Sequence, residues 1–299
     1  MFIECYQNLS ICNIESIIHA LERAVAEHSR WLNDWNRSLI CDLPVSEGYL
    51  AEDAHRQCDF GQWYNKQSAP FIRNRGDFEM IDRLHRATHD SARVLAVKAK
   101  GGKFITAKDY DSFIENELAL SKVLLKLRDE LHEILSGFDP LTGVLNRQAF
   151  YLILSQEHAR ASRVTQPCCV AMADLDHFKK VNDTYGHLGG DKVLRATAQY
   201  LTGKLRPYDS ICRYGGEEFL ICLPNTSVVM AKTILNRLRE GIESLAINLE
   251  QGKCIGITTS FGFATMVSDE SVKATIARAD KALYAAKLGG RNQVCLIED

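Results

Sequence analysis

The sequence predicts two units of different class, an all-helical first part over residues 1–137 and an α/β second part over 138–299. Three observations lead there. Apolar residues recur at steps of three and four up to residue 138, and beyond it helix-like stretches alternate with short apolar runs. Between the two textures, Ser136-Gly137 and Asp139-Pro140-Leu141-Thr142-Gly143 break the helix. A chain of 299 residues, 46% hydrophobic, can supply more than one packed core.

The elements follow in order. Ile14, Ile17, Leu21, Val25, Leu32, Trp35 and Leu39 mark a first amphipathic helix, with His28 inside its stripe. Phe78, Ile81, Ala92, Leu95 and Ala99 mark another, with His85 and His89 on core-facing steps. From 113 to 138 the spacing alternates threes and fours through Leu120, Leu124, Leu127, Leu131 and Ile134, a heptad seam that predicts a paired helix. In the second part, 147–163, 191–205, 228–245 and 271–288 read as helices, whereas 168–173, 211–214, 219–223 and 254–264 read as strands. Helices packed on a sheet are therefore expected.

A net charge of -2 gives no general attraction to nucleic acid or anionic lipid, so any phosphate must be recognised locally. No apolar run approaches the ~20 residues that span a bilayer. The opening Met1-Phe2-Ile3-Glu4-Cys5 lacks the basic flank and apolar stretch of an export signal. A cytoplasmic protein with neither nucleic acid nor membrane as partner is expected. Ten cysteines at scattered spacings read as buried thiols plus one metal ligand, not as a disulfide framework, and Cys168 and Cys169 read as strand packing.

The chemistry concentrates in carboxylates. In Arg213-Tyr214-Gly215-Gly216-Glu217-Glu218-Phe219, two glycines between apolar runs predict a hairpin turn that uses positive φ, with Glu217 and Glu218 beside it. The 168–173 run ends in Asp174-Leu175-Asp176, so a second acidic pair emerges from a strand end. If the strands are neighbours the pairs converge on a site of hard oxygen donors, suited to Mg²⁺ and a nucleotide.

These motifs, together with His177-Phe178-Lys179-Lys180-Val181-Asn182-Asp183-Thr184-Tyr185-Gly186-His187, Gly190-Asp191 and Lys287-Leu288-Gly289-Gly290-Arg291-Asn292, resemble the GGDEF diguanylate cyclases from Asp139 to the C-terminus. The resemblance implies a nucleotidyl-cyclase-like sheet and the joining of two GTP into cyclic di-GMP. It implies that Asp174, the Leu175 carbonyl and Glu217 hold Mg²⁺, and that Glu217 or Glu218 takes the proton. Asp176 is left as a second metal ligand or a structural acceptor. Asn182 and Asp191 match the guanine-binding pair, and a carboxylate can accept from guanine's ring N–H and amino group together, which adenine cannot offer. Phe178 and Lys179, in the loop after the strand, match backbone contacts to phosphates. Lys287 and Arg291 match a cationic clamp, and would share a helix face if the last helix continued past Leu288. Arg206-Pro207-Tyr208-Asp209 matches the family's RxxD product-inhibition site, with Arg237 as a further contact. One site per chain and two equivalent links in the product imply a homodimer. A catalytically silent receptor for cyclic di-GMP, bound through Arg206 and Asp209, is the competing expectation.

His85 and His89, one helical turn apart, can grip one metal ion. No Glu follows His85, so the metalloprotease signature is absent. Arg56-Gln57-Cys58-Asp59-Phe60-Gly61-Gln62-Trp63-Tyr64 resembles the Cys-centred motif of the chemoreceptor zinc-binding domain. That resemblance implies a four-helix bundle in which His28, Cys58, His85 and His89 bind Zn²⁺ in a closed shell, with His55 as the rival donor. Zinc is expected to restrain the catalytic part.

Overall fold

The computed structural model describes residues 11–41, 43–44, 47, 50–66, 70–164, 166–249 and 254–297, so the opening residues 1–5 lie outside the described residues. The chain divides into two compact units, Cys12–Leu135 and Ser136–Asp299.

The first unit is helical. Three long helices, α1 (Ile11–Ile40), α5 (Gly76–Lys100) and α6 (Ala107–Ser136), are joined by the short α2 (Ala54–Gln57), α3 (Asp59–Lys66) and α4 (Pro70–Arg73). The predicted stripe of α1 is buried at Ile14, Ile17, Leu21, His28 and Trp35. Trp35 packs with Ala92, Leu95 and Phe113 in a core that draws on all three long helices. Ala99, predicted core-facing, is exposed, because α5 reaches its last turn there.

The seam residues of α6 are buried. Leu120, Leu124, Leu127, Leu131 and Ile134 are each 0–4% exposed within a single chain, so they pack against the chain's own helices. Polar contacts follow the same course: His132 meets Glu22 of α1 at 3.4 Å, and Asn116 Nδ2 donates to Ala87 O of α5 at 3.5 Å. Three-four spacing marks a helix that packs on helices, and it does not say whose they are.

The second unit is a six-stranded mixed sheet in the order β1-β3-β4-β2-β7-β8. Its strands are β1 (Leu145–Asn146), β2 (Cys169–Leu175), β3 (Ser210–Arg213), β4 (Glu218–Leu223), β7 (Thr259–Thr265) and β8 (Val294–Leu296). β5 (Ile247–Asn248) and β6 (Cys254–Ile255) form a separate pair, so the predicted 254–264 strand is two strands. The helices are α7 (Arg147–Val164), α8 (Phe178–Lys204), α9 (Val228–Glu243) and α10 (Val272–Leu288).

β2 is buried at every position, which explains its unbroken apolar run. Side chains alternate between faces. Cys169, Ala171, Ala173 and Leu175 join a core with Val193, Leu194 and Ala198 of α8 and Leu235 and Leu238 of α9. The opposite parity, which includes Met172 and Asp174, faces the side of α7 and α10. Gly262 of β7 permits that packing, since a Cβ there would lie 1.9 Å from the Leu283 nitrogen of α10.

α8 begins at Phe178, well before the predicted residue 191, and bends at Gly186. There φ is 70° and ψ 173°, a conformation essentially reserved for glycine.

Candidate functional sites

In the second unit β2 runs antiparallel to β4, with Asp174 directly opposite Glu218. Opposed residues share a face, so Glu218, and not Glu217, is the cross-strand partner of Asp174. Glu217 stands one residue outside the strand, and its carbonyl accepts from the Leu175 N–H at 3.3 Å. Lys287 reaches Asp174 from α10, with Nζ 2.8 Å from Oδ2. Burial pushes the Asp174 carboxyl above its ordinary range, opposed by Lys287 and by Arg291. Glu218 is also pushed up, first by burial and then by the charge of Asp174. Asp174 and Glu218, opposed across the two strands, offer hard carboxylate oxygens of the kind that suit Mg²⁺, and Asp174 already pairs with a cation.

The turn between β3 and β4 departs from expectation. Neither Gly215 nor Gly216 has positive φ. At Gly215 a Cβ would stand 2.5 Å from Glu218 Oε2, so a side chain there would displace the Glu218 carboxylate from its place beside the turn. Arg213 holds the turn, donating to Gly216 O at 3.0 and 2.8 Å while its Nη1 lies 3.3 Å from both carboxylate oxygens of Asp139. A Cβ at Gly216 would meet nothing within 4 Å, so the close approach concerns Gly215 alone.

Asp176 is held by three donors. It takes hydrogen bonds from Thr258 Oγ1 at 2.8 Å, Ser260 Oγ at 2.7 Å and the Asn292 N–H at 3.0 Å, and it is 3% exposed.

Phe178 and Lys179 do not lie in a loop. They open α8, whose first amides lack intrahelical partners and favour anions. The bend at Gly186 returns the chain so that Asn182 Oδ1 covers Gly190, where a Cβ would sit only 2.0 Å away, and this brings Asn182 beside Asp191. Lys287 and Arg291 do not share a helix face. α10 stops at Leu288, and Gly290, Arg291 and Asn292 all have positive φ. The Gly-Gly pair after Leu288 was a stop signal that the sequence already displayed.

Arg206, Asp209 and Arg237 come together. The Arg206 N–H donates to Asp209 Oδ2 at 2.9 Å, and Arg237 Nη2 donates to Lys204 O at 3.4 Å. Burial raises the Asp209 carboxyl, with Arg206 and Arg237 opposing. Asp209 Oδ1 is buried and has no hydrogen-bond partner.

In the first unit His28, Cys58, His85 and His89 gather with ligand atoms all within 4.8 Å of one another, the one such cluster among the described residues. Cys58 Sγ lies 3.3 Å from His85 Nε2 and accepts from the Gly61 N–H at 3.3 Å. Gly61 cannot carry a side chain, since a Cβ would meet His55 O at 2.0 Å. Burial lowers His28 to about 4, His85 to about 2 and His89 to about 3, with neighbouring imidazoles adding to the shift at His85 and His89. Burial raises the Cys58 thiol, partly offset by the Gly61 amide. Both nitrogens of His28 and Nε2 of His89 are buried without partners. Neutral imidazoles with orphaned nitrogens around one thiol fit a tetrahedral zinc ion. His55 stays outside the cluster, its ring 6.5 Å from that of His85.

The fold and these clusters define a two-domain signalling enzyme: the chain belongs to the family "Diguanylate cyclase, GGDEF domain", matched over residues 136–293, and carries a "Chemoreceptor zinc-binding domain" over 28–96. It is similar to diguanylate cyclase DgcZ of Escherichia coli K12, 30% identical over 294 residues, covering 96% of this chain and 95% of that one. Diguanylate cyclase DgcP of Pseudomonas aeruginosa is 42% identical over 168 residues, 56% of this chain and 25% of that one. Among solved structures, the coiled coil and GGDEF domain of DgcB from Caulobacter crescentus, in complex with c-di-GMP, matches at TM-score 0.57 and 35% identity, covering 62% of this chain and 99% of that one. Among the described residues no helix is long and apolar enough to cross a membrane.

Proposed function

We propose that this chain condenses two GTP into cyclic di-GMP and two pyrophosphates, as a homodimer restrained by zinc and by its own product. The observation that carries the reading is the strand-end pairing of Asp174 with Glu218, with Lys287 on Asp174.

Asn182 and Asp191 receive guanine, and the opening amides of α8 at Phe178 and Lys179, with Lys287 and Arg291, take the phosphates. Asp174, the Leu175 carbonyl and Glu217 would hold Mg²⁺, which when bound neutralises charge on the phosphates. The ribose 3′-oxygen of one GTP bonds to the α-phosphorus of the other, and the bond from that phosphorus to the bridging oxygen breaks. The hydroxyl proton passes to Glu217 or Glu218, the two carboxylates beside the turn. Pyrophosphate leaves with the electron pair. One site per chain must act twice for a cyclic product, so a second copy faces the first.

Product inhibition is supported by the gathering of Arg206 and Arg237 around the Asp209 carboxylate, a pairing of cations for phosphate with an acceptor for guanine. Zinc restraint is supported by covalent continuity, since α6 leaves the zinc-binding unit and ends where the catalytic unit begins. The test is direct: incubate the full chain with Mg²⁺ and GTP, separate products by chromatography, and repeat after stripping zinc with a chelator. Cyclic di-GMP is expected, at a higher rate without zinc. No cyclic product overturns the cyclase reading, and a rate indifferent to zinc overturns the restraint.

A further inference from the structure

The loop after α10 carries three consecutive residues in the left-handed region, Gly290 (φ 113°), Arg291 (φ 66°) and Asn292 (φ 46°). Glycine adopts such angles freely and arginine rarely, so surrounding contacts must hold the last two there.

Those contacts are specific. The Arg291 N–H donates to Ala286 O at 3.0 Å, and the Asn292 N–H donates to Asp176 Oδ2 at 3.0 Å. The Asn292 side chain is gripped by two residues of α9: Arg239 Nη1 donates to its Oδ1 at 2.9 Å, and its Nδ2 donates to Glu243 Oε1 at 2.9 Å. Arg239 Nη1 also donates to Glu243 Oε2 at 2.9 Å, and its side chain is only 15% exposed. Asp176 is fixed in turn by Thr258 and Ser260. The Asn292 peptide is thus clamped between the end of β2 and the last turns of α9. Arg291 precedes it, within electrostatic reach of Asp174.

We propose that Asp176, Arg239 and Glu243 are positioning residues that hold Arg291 against the phosphate end of the nucleotide site, acting through Asn292. This rests on the assignment of Arg291 to the nucleotide phosphates. In this arrangement all three act through Asn292, to which each is hydrogen-bonded. A brace of purely structural importance would weaken the fold without distinguishing nucleotides by their phosphates, whereas a positioning device weakens the phosphate contact selectively.

The test compares two ligands on the full chain with Mg²⁺: 3′-deoxy-GTP, which lacks the attacking oxygen and cannot react, and GMP, which lacks the outer phosphates. In Arg239→Ala, affinity for 3′-deoxy-GTP is expected to fall by about tenfold and that for GMP by less than about twofold, the usual scale for loss of an outer-shell partner. Arg239→Lys should recover most of the difference by restoring one donor. Asn292→Gly, which keeps the left-handed backbone and loses only the gripped side chain, should reproduce the alanine result. It also carries the comparison should Arg239→Ala fail to fold. Equal losses for the two nucleotides, or no loss for either in a folded variant, overturn the proposal. Because binding is read without turnover, a chain that makes no cyclic di-GMP counts against the proposed activity and not against the clamp.

Discussion

Acidification offers a perturbation whose size can be worked from the histidine cluster. His28, His85 and His89 are buried and neutral, with folded pKa values of about 4, 2 and 3, against an unfolded value of about 6.5. Below about pH 6.5 the unfolded chain binds protons that the folded apoprotein refuses, so stability is full above that pH and is lost as pH falls toward the folded values. At pH 5 each unfolded imidazole lies about 1.5 units below its pKa, which is worth about 2 kcal/mol per histidine. The result is insensitive to the individual folded values, because all three lie well below 5. The zinc-binding unit should therefore lose about 6 kcal/mol between pH 7 and pH 5, comparable with the whole stability of a small domain. The three tryptophans, Trp31, Trp35 and Trp63, all belong to this unit, so their fluorescence reports it alone. Urea unfolding of the full chain in chelator, followed by that fluorescence at several pH values, measures the loss. Replacing His85 with asparagine should remove about a third of the pH dependence. A free energy of unfolding that stays level from pH 7 to pH 5 would refute the reasoning.

Further outcomes follow from specific contacts. Gly61→Ala drives a methyl into His55 O and displaces the amide that supports Cys58, so zinc affinity should fall by about tenfold or more in competition with a colorimetric chelator. Gly262→Ala forces α10 off β7, and a destabilisation of about 3 kcal/mol is expected in denaturant melts followed by circular dichroism. Arg206→Ala should leave the initial rate of synthesis within about twofold and raise the product concentration needed for inhibition by at least about tenfold, read from progress curves with added cyclic di-GMP.

What the sequence disclosed depended on how local the determinant was. The two-unit architecture, the buried run of β2 and the carboxylates at its end were legible because strand burial and helix punctuation leave marks within a few residues. The His85-His89 pair was legible from one helical turn of spacing, while His28 and Cys58 came only from the resemblance to the zinc-binding family. Side-chain parity at β4 was invisible, because it depends on where the strand begins, so the pairing of Asp174 with Glu218 had to come from the structure. Spacing identified the α6 seam and was silent on what would cover it. The grip of Arg239 and Glu243 on Asn292 spans 53 and 49 positions and leaves no local trace. On a helix, such charges read as a solvated face.

The two proposed metal sites differ in donor chemistry as well as in unit. The nucleotide site offers carboxylates and a carbonyl, which suit a hard cation, whereas the helical cluster offers imidazoles and a thiol, which suit zinc. The sheet's own thiols do not blur this division. Cys168, Cys169, Cys212 and Cys222 are buried in or beside the strands, and burial raises Cys169 to about 12 and Cys212 well above its usual range. Cys168 and Cys222 lie 3.7 Å apart, with no histidine gathered beside them in a metal-ready group among the described residues. The donors that match zinc gather in the helical unit, so the proposed restraint of catalysis is expected to travel along the chain from there and not to arise by displacement of Mg²⁺. Cys58, as the sole thiol of that cluster, is the residue on which this separation turns.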